Sequence, residues 1–362
     1  MSARDTALRL WHAGVQAVDG YTATARALEG PPPDQIIAVG KAAASMARAA
    51  LDHFGDLPCL VVTKDGHGGD LPSSVQLIEA SHPVPDARSL AAGAALRSTV
   101  AGLGAASRLL LLVSGGASAL AEDPVDGETL ESLMALNTAL LASGLDINAM
   151  NAERRTRSRI KGGGLLSGFG GSFVQVLAIS DVPRDDIGVI GSGIGAEPAA
   201  HGFEYDCRIV ASNRIARAAA AALAEGLIAN EECLYDDVSA LAPGIGARLR
   251  AMPKGVLILG GEPTVILPDN PGNGGRNQAL ALELAREIAG IDNLVVVVGG
   301  TDGSDGPTDA AGGIVDGTVW GDGADEALRR ADSGGFLESR NARLITGPTG
   351  TNVMDVLVAV KC

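Results

Sequence analysis

At 362 residues the chain exceeds one typical domain, so two are expected, and a formal net charge of −15 argues against nucleic-acid binding, which calls for a basic face. No uninterrupted apolar run reaches the roughly 18 residues of a membrane span, and residues 1–11 carry charges where a secretory leader would be apolar, so a cytoplasmic protein is expected. A composition 46% hydrophobic but only 3% aromatic, with 49 glycines, predicts an α/β core of Ala, Val, Leu and Ile joined by tight turns, and the four cysteines lie too far apart for a metal or disulfide framework.

Residues 5–28 have helical spacing and stop at Gly30-Pro31-Pro32-Pro33. Ile36 to Val39 reads as a strand entering Gly40-Lys41 and an alanine-rich helix over 42–52. Strands follow at 59–63 and 75–79, then a helix at 87–101 with Asp86 as its N-cap. A fully apolar strand, Leu109 to Val113, leads into Ser114-Gly115-Gly116, with a helix around 127–142 beyond it. Val174 to Ile179 ends in Ser180-Asp181, and Arg208 to Ala211 ends in Ser212-Asn213 ahead of a helix over about 214–229. Strands alternating with helices imply parallel pairing. In the order 3-2-1-4-5-6 the first and fourth strands flank the switch point, so Lys41 and the Ser114–Gly116 loop would share one crevice.

After Pro243 the texture changes. Val256 to Leu259 ends in Gly260-Gly261-Glu262, a helix covers 277–289, and Leu294 to Val298 runs into GGTDGSDGPTDAAGG over 299–313. These pieces suggest a second α/β domain, and the final strand, Val356 to Val360, suits either domain.

The candidate chemistry lies at the strand ends. Lys41 stands at a strand-to-helix turn, where phosphates bind, although Ala42 replaces the Ser/Thr of a P-loop. Asn270–Gln278 reads NPGNGGRNQ; glycine lets the backbone approach an anion, and Arg276 supplies a planar fork. Lys161 precedes two glycines, and Thr346–Asn352 offers hydroxyl and N–H donors. Asp302, Asp305 and Asp309 repel one another unless a cation or a set of N–H donors compensates them; Asx turns are the bland alternative. Gly191–Gly195 and Gly244–Gly246 do not complete a dinucleotide fingerprint, and Gly116–Leu120 lacks the last glycine of a nucleophile elbow. One lysine, one arginine, Gly/Ser/Thr loops and a carboxylate cluster match the parts used in phosphoryl transfer.

In order and number, these stretches resemble the class II glycerate 2-kinases, the family built from a DUF4147 and a MOFRL domain, some members of which carry the older name hydroxypyruvate reductase. The matching pieces include Ala38-Val-Gly-Lys-Ala42, His82-Pro-Val-Pro-Asp86, Val113-Ser-Gly-Gly116, Arg159-Ile-Lys-Gly-Gly163, Ile179-Ser-Asp-Val-Pro183, Ser212-Asn213, Gly260-Gly-Glu262, Gly274-Gly-Arg-Asn-Gln278, the 300–312 loop and Thr346–Asn352. The resemblance implies a Rossmann-like, doubly wound first domain over 1–237, to which a C-terminal strand at about 346–362 returns. It implies a smaller mixed-sheet MOFRL domain over 238–345. The implied reaction is ATP-dependent phosphorylation of D-glycerate at its 2-hydroxyl, with Mg²⁺.

Lys41 and Arg276 stand at the positions the resemblance implies as catalytic or phosphate-binding. Of the acidic loop, which would bind or orient Mg²⁺–nucleotide or help deprotonate the acceptor, Asp302 lies nearest the strand end and is taken with them as catalytic, and Asp305 and Asp309 as the metal-binding candidates. Ser114, Gly115, Gly116, Lys161, Asp181, Ser212, Asn213, Glu262, Thr349 and Asn352 are the candidate substrate- or nucleotide-binding residues. The family's Ser-Gly-Pro-Thr stretch is replaced by Ser192-Gly-Ile-Gly-Ala-Glu-Pro198. The alternatives are an NAD(P)-dependent hydroxypyruvate reductase and a divergent kinase or binding protein for another hydroxy acid. Asp236–Gly246, with its proline and glycines, reads as a hinge that would let Lys41 and Arg276 close on one cleft.

Overall fold

Ile36–Val39 and Leu109–Val113 are apolar at every position, which suits strands covered on both faces. In the structure, a computed structural model that describes residues 2–142 and 147–362, they are adjacent parallel strands. The chain divides into two compact units, Gly20–Ala211 and Met1–Asp19 with Ser212–Cys362. Helix α1 (Ala3–Ala17) comes first and belongs to the latter.

The unit Gly20–Ala211 contains α2 (Gly20–Ala27), β1 (Gln35–Val39), α3 (Ala43–Phe54), β2 (Cys59–Lys64), β3 (Gln76–Ala80), α4 (Ala87–Ala101) and β4 (Arg108–Val113). It continues through α5 (Ala117–Leu120), α6 (Leu130–Ala142), α7 (Ile147–Thr156), α8 (Gly164–Ser167), β5 (Phe173–Ile179) and β6 (Glu204–Ala211). All five strand pairings are parallel, in the order β3-β2-β1-β4-β5-β6. This is the expected doubly wound sheet, with the switch point between β1 and β4. Ile37, Val39, Leu111, Val113 and Val176 carry the core on one side of it.

The remaining elements are α9 (Asn213–Ala222), β7 (Leu227–Leu234), α10 (Val238–Ala251), β8 (Gly255–Gly261), α11 (Arg276–Glu287), β9 (Leu294–Gly300), β10 (Gly312–Asp316), α12 (Ala324–Arg329), α13 (Ser333–Ser339), β11 (Arg343–Leu344) and β12 (Asp355–Lys361). Their sheet runs β11-β10-β9-β12-β8-β7 and is mixed: β12 pairs antiparallel with both β8 and β9. Helix α1 packs on this sheet, and its buried Trp11 donates Nε1–H to the Val356 carbonyl at 3.2 Å.

Three expectations are corrected. The C-terminal strand does not return to the parallel sheet. Val356–Val360 is buried on both faces, and a central place between β8 and β9 provides that burial. The helix expected over 214–229 ends at Ala222; Gly226, at φ +69°, turns the chain into β7, whose exposed and half-buried residues carry no apolar run to announce it. The expected hinge at Asp236–Gly246 is the start of α10, with Pro243 inside the helix. Val238, Ala242, Ile245 and Leu249 recur at spacings of four, three and four and bury one face, which outweighs the proline. The chain therefore passes between units at 19–20 and 211–212, rather than near 237 and 346. No helix among the described residues is long and apolar enough to cross a membrane.

Candidate active site

In the unit Gly20–Ala211, the loops after β1 and β4 lock together. Lys41 N–H donates to the Gly115 carbonyl at 2.9 Å, Ala42 N–H to Ser114 Oγ at 3.0 Å, and Ser114 N–H to the Val39 carbonyl at 2.9 Å. Gly40 sits at φ +126°, where a Cβ would lie 2.2 Å from Ser114 Oγ. Both the conformation and the contact demand glycine. Gly40→Ala is expected to lower stability by about 1–3 kcal/mol, read as a fall in the denaturant midpoint. A side chain on Gly116 would lie 3.2 Å from both Lys41 Cγ and the His82 ring, so Lys41, His82 and the Ser114–Gly116 turn form one corner at the switch point. His82 opens one of the stretches that resemble the family, and nothing else in the sequence marks it as part of this corner. Asp181 is half-buried just beyond β5, on the same carboxyl edge of the sheet.

Lys161 is placed differently from a surface anion site. Its side chain is 5% exposed, and its ammonium donates to Glu122, which is equally buried and also accepts from Ser158 Oγ. Burial pushes the Lys161 pKa down, and Glu122 opposes the shift. Its glycines serve the backbone: Gly162 N–H and Gly163 N–H donate to the Ser192 and Gly193 carbonyls at 3.0 and 2.9 Å. Ser192 belongs to the stretch that departs from the family pattern. It bonds Ser118 at 2.9 Å and Asn151 at 3.1 Å.

In the other unit, four stretches meet at one end of the mixed sheet. Because β12 is antiparallel to both neighbours, its first residue, Asp355, lies level with Gly261 at the end of β8 and Gly300 at the end of β9. Arg276, the first residue of α11, turns its guanidinium onto this point. Nε donates to Asp355 Oδ2 at 2.7 Å, NH2 to Asp355 Oδ1 at 3.3 Å, and NH1 pairs with Glu262 Oε1 at 2.8 Å. Asp355 is 1% exposed, and Asn277 Nδ2 donates to its Oδ1 at 2.9 Å. Burial pushes the Asp355 carboxyl up to about 6 despite Arg276. Burial also opposes the charge on Arg276, but Asp355 and Glu262 outweigh it and hold the guanidinium firmly protonated. Asp302 reaches the same place. Its Oδ1 and Asp355 Oδ1 both lie 3.3 Å from where a Gly300 side chain would begin. Asp302 Oδ1 also accepts from Ser304 N and Oγ, both at 3.0 Å.

The acidic loop does not gather its three carboxylates around a metal. Asp305 is buried and caps α11, accepting from Asn277 N at 3.0 Å, Gln278 N at 2.8 Å and Gln278 Nε2 at 3.0 Å. These are the unsatisfied N–H groups at a helix start, for which a carboxylate is well suited. Gly275 makes the approach feasible, since a Cβ there would lie 2.3 Å from Asp305 Oδ1. Burial raises the Asp305 pKa, against the pull of those N–H bonds. Asp309 points elsewhere, to Arg343 at 3.0 Å. No group of three or more His, Cys, Asp or Glu among the described residues has the geometry to hold a metal ion. The donors thus do not fit an all-protein Mg²⁺ cage.

The remaining candidates support this centre from behind. Thr349 Oγ1 donates to the Thr301 carbonyl, and Thr301 Oγ1 to the Met354 carbonyl at 2.7 Å, which ties the 346–354 loop to the acidic loop. Asn352 lies half-buried on that loop, three residues before Asp355. Asn213 is buried, donating to the Val353 and Asp355 carbonyls at 3.0 and 2.9 Å and accepting from Arg217 at 2.8 Å. Ser212 Oγ is buried and has no hydrogen-bond partner among the described residues. Asp355, Asn277 and Glu122 were not singled out from sequence. The one signal for Asp355 is an acid heading a seven-residue strand that is otherwise apolar up to Lys361.

Residues 6–227 match the family described as Domain of unknown function (DUF4147), and residues 255–355 match the MOFRL family. A D-glycerate 2-kinase of Thermotoga maritima is 34% identical, with 90% of each chain covered. An Agrobacterium vitis protein named as a hydroxypyruvate reductase is 37% identical over 89% of this chain and 97% of its own. The crystal structure of a Thermotoga maritima glycerate kinase superposes with a TM-score of 0.87 at 30% identity, covering 99% of both chains. With both domain families matched in order and full-length likeness in sequence and fold, the chain belongs to the class II glycerate 2-kinase family.

Proposed function

We propose that the chain phosphorylates D-glycerate at its 2-hydroxyl, with ATP as donor and 2-phosphoglycerate as product. The observation that carries this reading is the likeness to glycerate kinases over the whole length, both units included. Phosphoryl transfer needs charge neutralisation and positioning more than covalent machinery. Arg276 supplies a planar fork for phosphate or carboxylate oxygens, and Lys41 a point charge at a strand-to-helix turn. Asp302 is the carboxylate suited to orient the acceptor hydroxyl or accept its proton. Mg²⁺, if the nucleotide carries it, would neutralise charge on the phosphates, and single carboxylates such as Asp302 would be its protein partners, as no group of three or more His, Cys, Asp or Glu among the described residues would hold it alone.

The reductase reading is disfavoured by where the glycines sit. Gly191 and Gly193 lie in a 3₁₀ turn at Ile190–Gly193, and Gly244 and Gly246 lie inside α10, so neither set forms the strand-to-helix turn that holds a dinucleotide pyrophosphate. Coupled ADP-release assays on D-glycerate, L-glycerate and related hydroxy acids test the proposal. D-Glycerate is expected to be preferred, with ³¹P NMR showing the 2-ester. NADH oxidation by hydroxypyruvate without ADP release from any acid would overturn it.

A further inference from the structure

Arg276 is held by two carboxylates of opposite character. Glu262 reaches NH1 with a side chain 45% exposed, whereas Asp355 grips Nε and NH2 from a site only 1% exposed. Exposed pairs contribute about 0–1 kcal/mol and exchange readily, while a buried, hydrogen-bonded carboxylate is costly to separate from its cation. One cation flanked by two carboxylates carries net negative charge and repels an incoming anion. If Glu262 swings into water, one negative charge leaves the corner, the Arg276–Asp355 pair that remains is neutral in itself, and the two N–H donors of NH1 are exposed.

We propose that Asp355 is a positioning residue, which fixes the Nε–NH2 edge of Arg276 so that the NH1 corner, held by Glu262 in the free chain, exchanges onto an anionic group of the substrate. The proposal rests on the kinase reading for its activity readouts but not for its geometry. β12 builds the support: its antiparallel insertion puts Asp355 between Gly261 and Gly300, and Asn277 occupies the same oxygen that NH2 shares.

The charged groups facing Asp355 are Arg276 on α11, Glu262 after β8, and Asp302 after β9; Asp305, capping α11, adds its charge to Arg276. The Asp355 carboxyl, raised to about 6, takes up a proton below that pH and loosens its hold on Arg276. Between the usual 3.8 and about 6 the folded chain binds this proton more tightly than the unfolded one, so this group's contribution to stability falls as pH rises across the window. Catalytic competence rises over the same window. A purely structural carboxylate would not produce those opposite slopes.

The test combines kinetics and spectroscopy. Wild type is expected to show an acid limb in kcat/KM near pH 6. Asp355→Asn, which keeps an acceptor but no charge, is expected to lose that limb and about 10²-fold in kcat, the scale of a misplaced catalytic group. Glu262→Gln, an exposed change that tolerates folding, is expected to lower the KM for D-glycerate by removing the competing anion. Wild-type kcat and an unchanged acid limb in folded Asp355→Asn would overturn the positioning role, and a raised KM in Glu262→Gln would overturn the exchange. Should wild type release no ADP with D-glycerate, the kinase reading fails alone. Protection of the Arg276 Nε–H, its exchange rate in ¹⁵N NMR relative to a free arginine at the same pH, then decides: protection at neutral pH that is lost below pH 6 supports the proposal, and protection that is absent at neutral pH or unchanged below pH 6 overturns it.

Discussion

Arg276→Lys and Arg276→Gln are both expected to lower kcat by about 10³-fold, because a group that neutralises charge developing in the transition state acts on the chemical step more than on binding. Lysine keeps the charge but not the fork, and the present contacts use three separate nitrogens of Arg276. Alanine is the poorer probe. It strands the buried Asp355 carboxylate without its cation, and breaking such a pair costs about 3–5 kcal/mol of stability in its own right. Lys41→Met, which keeps the stem that packs near His82 and Gly116, is expected to cost a similar factor in kcat with little change in the denaturant midpoint. If Arg276→Lys and Lys41→Met both turn over at the wild-type rate, neither cation handles the transferring phosphoryl group.

The placement of Arg276 at a glycine-led helix start was legible in the sequence because its surroundings are local. A glycine-rich approach, an arginine and a helix start follow one another within Asn270–Gln278. The order of the parallel sheet was legible for a similar reason, since its four central strands, β1, β2, β4 and β5, are mostly apolar runs set off by helical patterns and right-handed crossovers leave few arrangements. Asp355 was not legible. One acid before an apolar strand looks like a boundary residue until β12 is known to run antiparallel between β8 and β9, and that pairing joins residues about a hundred positions apart in one case and more than fifty in the other. Asp305 is ambiguous in the sequence for a related reason. Its spacing from Asp302 and Asp309 is compatible with a ligand set, but the N–H groups that compensate it come from α11, 28 residues earlier in the chain. Each charge in the acidic loop needs a cation or a set of N–H donors to offset it; for Asp305 these are the N–H groups of the helix start, and for Asp309 the cation is Arg343.

Glu122→Gln is expected to destabilise the chain by about 3–5 kcal/mol, seen as a large drop in the denaturant midpoint, because it leaves the Lys161 ammonium buried without a counter-charge. The site offers that cation little else: water is excluded from both side chains, and the nearby basic groups Arg154 and Arg155 only add positive charge. Glu122 also accepts from Ser158 Oγ and from Asp123 N–H, so the loop over 158–163 and the segment after α5 lose their common anchor together. Replacing the whole pair, Glu122→Leu with Lys161→Met, removes both buried charges and is expected to regain more than half of the lost stability, since a well-packed apolar pair replaces a buried ion pair at little cost. The double variant also decides what Lys161 is for. If its ammonium serves only to hold Glu122 and the backbone clamp of Gly162 and Gly163 on Ser192 and Gly193, kcat stays within about tenfold of wild type, as expected for a change acting only through loop geometry. A folded double variant as slow as Arg276→Gln would instead mean that Lys161 leaves Glu122 during turnover and reaches the substrate.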